Sequence, residues 1–337
     1  MDKTKTKAVS EVELFPNLRV DSWDSFIGQS KIKQSLKVAL SAAKKRQESV
    51  EHILLYGPPG LGKTTLAHLI AKELNVNIRA SSGPALERAG DLASILTNLN
   101  PGDIFFIDEI HRLPKIVEET LYPAMEDYHL DIIVGQGPSA RTLKLDLPKF
   151  TLIGATTKIG SIAAPLRDRF GLVQRLTFYE PEDLVAVLIN AAQKLKIKLD
   201  STAATSLSRR SRGTPRIALK LLKRCRDLAQ IKGDSGITPA ILDESLALLE
   251  VDEMGLDAND RRLLKALIDK YQGGPVGLDT LAAIISEDKD TIEEVIEPYL
   301  MQIGFLKRTS RGRFATPKAY SHFGKKTPPN FDQQKLI

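Results

Sequence analysis

The spacing of apolar positions changes twice along the chain. Between residues 50 and 180, short runs rich in Ile, Phe and Val alternate with stretches of helical spacing; the runs fall at His52 to Tyr56, Ile78 to Ser82, Ile104 to Asp108, Leu152 to Thr156 and Leu172 to Phe178. Continuous apolar runs mark strands buried on both faces, so their alternation with helices predicts a mostly parallel α/β sheet. From Pro181 to Val251 the period is that of a helix throughout, with helices expected at about Pro181 to Leu195, Ser201 to Arg210, Pro215 to Gln230 and Pro239 to Leu249. This is a small all-helical domain. Gly255 and Asp257 open a third unit with helices near Asp260 to Tyr271, Leu278 to Glu287 and Thr291 to Ile303, the last opened by a Thr291/Glu294 capping-box pattern. Two strand-like runs, Phe305 to Thr309 and Arg313 to Thr316, flank Ser310, Arg311 and Gly312. Three helices followed by a basic hairpin read as a winged helix.

A chain of 337 residues is too long for one ordinary core and suits two or three domains. The pattern divides it into an N-terminal segment at 1–20, an α/β domain at 21–179, a small helical domain at 180–255, a winged helix at 256–326 and a tail at 327–337. With 42% hydrophobic and 27% charged residues, the composition excludes wholesale disorder and a fibrous architecture. The single cysteine, Cys225, cannot form an internal disulfide and sits in an amphipathic helix as a core residue. Residues 1–10 alternate Lys and Thr without a secretory apolar core, and no later run approaches the ~18 apolar residues of a membrane span. A cytoplasmic location and no membrane partner are expected. The net charge of +6 is modest, but its distribution is uneven. Ile303 to Lys326 carries Lys and Arg without an acid, and so does Arg209 to Arg226, either as anion-binding faces or as solvated sides of helices.

The chemistry concentrates in the first domain. Gly57-Pro58-Pro59-Gly60-Leu61-Gly62-Lys63-Thr64 follows an apolar strand and precedes a helical stretch, the order a phosphate-binding loop requires. Its glycines let backbone N–H groups converge on phosphate oxygens, Lys63 reaches the β and γ phosphates of ATP, and Thr64 offers a hydroxyl to Mg²⁺. Thr65 continues the first turn, as an anion contact or a simple cap. Asp108 and Glu109 end the run Ile104 to Ile107. Beside such a loop, Asp108 completes the Mg²⁺ shell through water and Glu109 orients the water that attacks the γ phosphate, so hydrolysis is expected. His111 is read as structural. Thr156 and Thr157 emerge at the tip of another strand, where one of them can reach the γ phosphate or the attacking water. Arg167, Asp168 and Arg169 interrupt an otherwise apolar stretch, as a salt bridge or as an arginine finger. Gly213-Thr214-Pro215-Arg216 opens a helix and makes Arg216 available to a bound phosphate. Finally, His129 to Val134 and Arg141 to Leu147 surround Gly135-Gln136-Gly137-Pro138 as a hairpin.

Together these residues resemble the AAA+ superfamily: Walker A, Walker B ending in Asp108-Glu109, sensor 1 at Thr156 or Thr157, the finger Arg169 and sensor 2 at Arg216. More finely, the stretch from about Leu18 to Lys326 resembles the RuvB branch-migration ATPases. The most specific segments are Gly57 to Thr65, Asp108 to Leu113, Pro165 to Gly171, Gly213 to Arg216 and Phe305 to Phe323. The resemblance implies nucleotide contacts at Leu18, Arg19, Glu126, Asp127, Tyr128 and Tyr179. It also implies a homo-hexamer in which Arg169 reaches the neighbouring subunit's ATP. Further implications are Holliday junctions and double-stranded DNA as substrates, RuvA and RuvC as partners, and a role in recombination and DNA repair. Arg308 and Arg313 match the family's DNA contacts, with Arg311 between them and Lys289 where an arginine is expected; Val20 stands where the family carries proline. The hairpin, through Ile132, Ile133 and Val134, would dock on RuvA.

Two other AAA+ readings compete with a translocating motor. A clamp-loader subunit usually ends in a helical collar rather than a basic wing. A replication initiator or similar ATP-controlled switch would read bases, whereas Glu293, Glu294 and Glu297 would repel phosphates in a major groove.

Overall fold

A computed structural model describes residues 18, 20–134 and 141–328, with backbone alone at 132–134 and 141. Arg19, residues 135–140 with the expected Gly135 to Pro138 turn, and the residues from 329 lie outside the described residues. The chain divides after Tyr179 into two compact units.

In the first unit the runs pair side by side. Ile53–Tyr56 (β1), Ile78–Ser82 (β2), Ile104–Asp108 (β3), Thr151–Thr156 (β6) and Leu172–Arg175 (β7) form one sheet in the order β2-β3-β6-β1-β7, with every neighbouring pair parallel. The apolar central strands β1, β3 and β6 lie inside and the more polar β2 and β7 at the two edges. β6 is buried at every position, as a central strand covered on both faces must be. The cover comes from Ser30–Arg46 (α1), Lys63–Leu74 (α2), Ala89–Leu96 (α3), Lys115–Glu126 (α4) and the short Ala164–Arg167 (α5). Leu54, Phe105, Ile107, Leu121, Phe150 and Leu152 share one buried cluster. His129–Val134 (β4) and Arg141–Asp146 (β5) form a separate antiparallel pair.

Strand order sets the site. β6 lies between β3 and β1, with Ile107 opposite Gly154 and Thr156 opposite Tyr56. The carboxyl ends of β3, β6 and β1, the last feeding the glycine loop, therefore share one edge of the sheet, where open α/β sheets bind ligands.

The second unit begins with four helices, Pro181–Lys194 (α6), Ser201–Arg209 (α7), Pro215–Lys232 (α8) and Pro239–Leu248 (α9). Beside them lies a feature the helical period does not reveal, a parallel pair of two-residue strands, Lys198–Leu199 (β8) and Gly236–Ile237 (β9). Ala258–Lys265 (α10) follows, continued by a π turn to Lys270, then Leu278–Ile285 (α11). The next helical run, α12, consists of Lys289–Thr291, a π turn Ile292–Ile296 and Glu297–Gln302. Leu306–Thr309 (β10) and Gly312–Ala315 (β11) form the antiparallel wing, and Pro317–His322 (α13) closes the chain's described core around Leu264, Leu300, Phe305 and Tyr320.

The Thr291/Glu294 cap is not formed. Thr291 is already helical at φ −60 and ψ −43, because Asp288 takes the extended position before the helix. The capping box falls instead at α10, where the Asp257 carboxylate accepts from the N–H groups of Asn259 and Asp260 and the Asp260 carboxylate accepts from that of Asp257.

Candidate nucleotide site and basic wing

Gly57 follows β1 at φ +144, and a Cβ there would lie 2.4 Å from the Leu176 carbonyl oxygen. Only glycine lets the chain turn so close to the strand beyond. The loop then runs through Gly60 and Gly62 into α2, whose first two residues, Lys63 and Thr64, are buried although polar. The Lys63 ammonium donates to the carbonyls of Gly57 and Pro58, both at 2.8 Å, and so lies folded within the loop that would receive phosphates. The Phe26 ring is 3.2 Å from where a Cβ on Gly62 would stand, and the Tyr179 hydroxyl donates to the Leu61 carbonyl at 3.3 Å. Tyr179, buried in its own right, thus lies against the loop. Leu18 is buried too, and Thr65 is half-buried beside Thr64.

At the end of β3, Glu109 adopts a left-handed backbone at φ +49, which turns the chain sharply out of the sheet. Its carbonyl would lie 2.4 Å from a Cβ on residue 83, so Gly83 is what permits that turn to pack. The Asp108 carboxylate accepts from the Glu109 N–H at 3.0 Å, and the Glu109 carboxylate pairs with Arg112 at 3.1 Å. The two threonines separate here. Thr156 Oγ1 is 3.0 Å from His111 Nδ1 and accepts from the Lys158 N–H, and the residue is fully buried. Thr157 lies one position beyond the strand and is half-buried.

Arg169 lies in a pocket of its own chain. Its guanidinium stands 4.4 Å from the centre of the Tyr122 ring, donates to the Pro165 carbonyl at 2.6 Å and pairs with Glu126 at 3.0 Å. The Tyr122 hydroxyl donates to Glu118, and burial together with that carboxylate pushes its pKa up to about 12. Sequence reading passed over Tyr122; the available signal was the spacing of Glu118, Tyr122 and Glu126, which aligns them on one face of α4. Asp127 is exposed at the end of that helix, and Tyr128 follows at φ +54.

In the second unit Arg216 is half-buried on the first turn of α8. Four residues earlier, Arg212 is a larger surprise. It donates to the Gly255 carbonyl and to Asp257, pairs with Asp260 at 2.6 Å and lies over the Tyr299 ring. It therefore ties the helical bundle to the start of the winged helix. On the wing, Arg308 pairs with Glu293 at 3.2 Å, and like Lys307 and Arg311 it is exposed. Arg313 is not: its side chain is 10% exposed and held by Glu297 at 2.5 Å and Glu293 at 3.1 Å. The basic run that lacks acids in sequence acquires them from α12. Lys289 pairs with Asp279. At the other hairpin, Ile132 pairs in register with Leu143, which is 51% exposed.

Residues 18–176 match the family model of the Holliday junction DNA helicase RuvB P-loop domain, residues 179–252 the RuvB AAA lid domain and residues 253–324 the RuvB C-terminal winged helix domain. A solved structure described as the Thermotoga maritima RuvB Holliday junction branch migration motor is 48% identical, covering 93% of this chain and 100% of its own, with a TM-score of 0.85. Two single-residue variants of that protein match at 48% identity over 92% of this chain and 99% of theirs, with TM-scores of 0.86 and 0.85.

Proposed function

The chain belongs to the RuvB family of Holliday junction branch-migration motors, ATP-driven helicases with a P-loop nucleotide site, and on that premise we propose how its own residues divide the work. The family membership favours the motor over an initiator-like switch. The observation that carries the assignment of roles is the shared sheet edge, which gathers the glycine loop, Asp108-Glu109 and Thr156-Thr157.

Lys63 leaves the carbonyls of Gly57 and Pro58 for the β and γ phosphates, while Gly60 and Gly62 expose their N–H groups to them; Gly57, whose own N–H donates to the Thr156 carbonyl at 3.1 Å, serves the nucleotide by turning the loop. Leu18, Arg19 and Tyr179 line the nucleotide. Thr64 and Asp108 are hard oxygen donors, the set that suits Mg²⁺, which supplies neutralisation of phosphate charge when bound. Glu109 orients the attacking water. Thr157, half-buried one position beyond the strand, is the γ-phosphate sensor, and the fully buried Thr156, whose hydroxyl meets His111 and the Lys158 N–H, is structural. Arg216 senses the same phosphate from the lid. Arg169 acts on the neighbouring subunit's ATP in a hexameric ring, near Glu126, Asp127 and Tyr128. Lys307, Arg308, Arg311 and Lys289 hold DNA backbone without reading bases, and Arg313 supports them from beneath. The β4–β5 hairpin, with Ile132, Ile133 and Val134, docks on RuvA at a junction that RuvC later resolves, in the cytoplasm. Among the described residues no helix is long and apolar enough to cross a membrane.

The test is dissociation of a synthetic four-way junction by the chain, RuvA, ATP and Mg²⁺. Glu109→Gln should retain nucleotide binding and lose at least about 10²-fold in turnover and junction dissociation, since the water loses its orienting group. Normal turnover in that variant would remove Glu109 from the mechanism.

A further inference from the structure

Arg308 and Arg313 face each other across the wing strands. A like-charged cross-strand pair works against a hairpin unless something neutralises it. Here two carboxylates one turn apart on α12 do so. Glu293 lies 3.2 Å from Arg308 and 3.1 Å from Arg313, and Glu297 lies 3.7 Å and 2.5 Å from the same two groups.

The four side chains form an inner and an outer pair. Glu297 and Arg313 are 2% and 10% exposed, so their contact fixes the wing to α12. Glu293 and Arg308 are 25% and 52% exposed, at the solvent edge beside Lys307 and Arg311. A guanidinium held by a carboxylate oxygen at this distance presents the same planar donors that a phosphate oxygen would take. We propose that Glu293 is an internal stand-in for a DNA phosphate: it positions Arg308 on the empty wing and competes with the duplex for it, and so sets how tightly the wing grips.

This rests on the reading of the wing as a backbone grip, and the two can fail separately. Glu293→Gln keeps the side chain's size and its hydrogen-bonding oxygen but removes the charge. In the full-length chain it should tighten binding to duplexes of unrelated sequence by about fivefold, the order expected for one nearby charge in water. The slope of log K against log[salt] should steepen by about 0.9, because Arg308 engages one more phosphate. Glu293→Asp withdraws the carboxylate on a shorter arm and should tighten binding by a smaller factor. In an Arg308→Ala background both gains should vanish, an outcome that a merely structural role for Glu293 does not produce. If Arg308→Ala weakens binding while neither Glu293 variant tightens it, the stand-in is wrong and the grip survives. If Arg308→Ala binds duplex as the parent does, the grip itself is wrong and the inference falls with it.

Discussion

Thr156 ends its strand and Thr157 lies one position beyond it, and the sequence leaves their roles open because β propensity explains either. The proposed division rests on the contacts of the first: Thr156 Oγ1 meets His111 Nδ1 and the Lys158 N–H, and the residue is 1% exposed. Replacing Thr156 with Val should therefore cost stability, about 1 kcal/mol for a buried hydrogen-bonded hydroxyl, and leave turnover within a few-fold. Thr157→Val should keep nucleotide affinity and lose about 10²-fold in turnover, as a transition-state donor does. Steady-state ATPase rates and thermal unfolding of the two variants distinguish the roles; the reverse assignment of losses would contradict it. The glycine loop, by contrast, was fully legible, because its function requires residue types at fixed spacing and Gly57 has no room for a side chain.

Among elements, legibility follows the range of the interactions that make them. Ile104 to Asp108 is legible to the residue, since a strand buried on both faces is continuously apolar until its final acid; Ile78 to Ser82, half-buried or exposed throughout and carrying Arg79, is legible only from its place between two helical stretches. The cap on α12 was misplaced because Asp288 and Thr291 are both short polar residues and local pattern alone cannot rank them. Charge on the wing was misjudged for a different reason: the acids that neutralise Arg308 and Arg313 come from another element, 16 and 20 positions earlier for the Arg313 contacts. The Arg212 joint was invisible on the same grounds, with Asp257 lying 45 positions away. This joint has a pH signature. Burial pushes the Asp260 carboxyl up to about 7, against the attraction of Arg212, so the folded chain holds that proton more tightly than the unfolded chain. Its stabilising contribution is complete below the ordinary carboxylate pKa of about 4 and is lost as pH rises through 7. Asp257 titrates in a separate window: although burial opposes it, Arg212 and backbone N–H groups hold it below the usual carboxylate range. Urea unfolding of the full chain should therefore show a downward slope in stability between about pH 4 and 7 that Asp260→Asn lacks. Parallel profiles for the two proteins would contradict the assignment.

At the scale of the whole molecule, the proposed roles place the catalytic residues on two chains. In that reading the sheet edge supplies phosphate contacts, donors for Mg²⁺ and the water-orienting carboxylate, while Arg169 is held in its own subunit by Tyr122, Glu126 and the Pro165 carbonyl. In the proposed role of a finger acting on a neighbour, its planar charge would contribute roughly 10³ to 10⁵ in rate. The central claim is that hydrolysis requires two subunits, and mixing two inactive chains tests it most directly. Lys63→Ala chains lack a working phosphate loop but keep the finger; Arg169→Ala chains have the converse. Each alone should hydrolyse ATP at background. Mixed rings should regain a measurable fraction of the parent ATPase activity, greatest near equal proportions, because some interfaces then pair an intact loop with an intact finger. Background activity at every ratio, in samples where mixed rings are shown to form, would contradict a site shared between subunits.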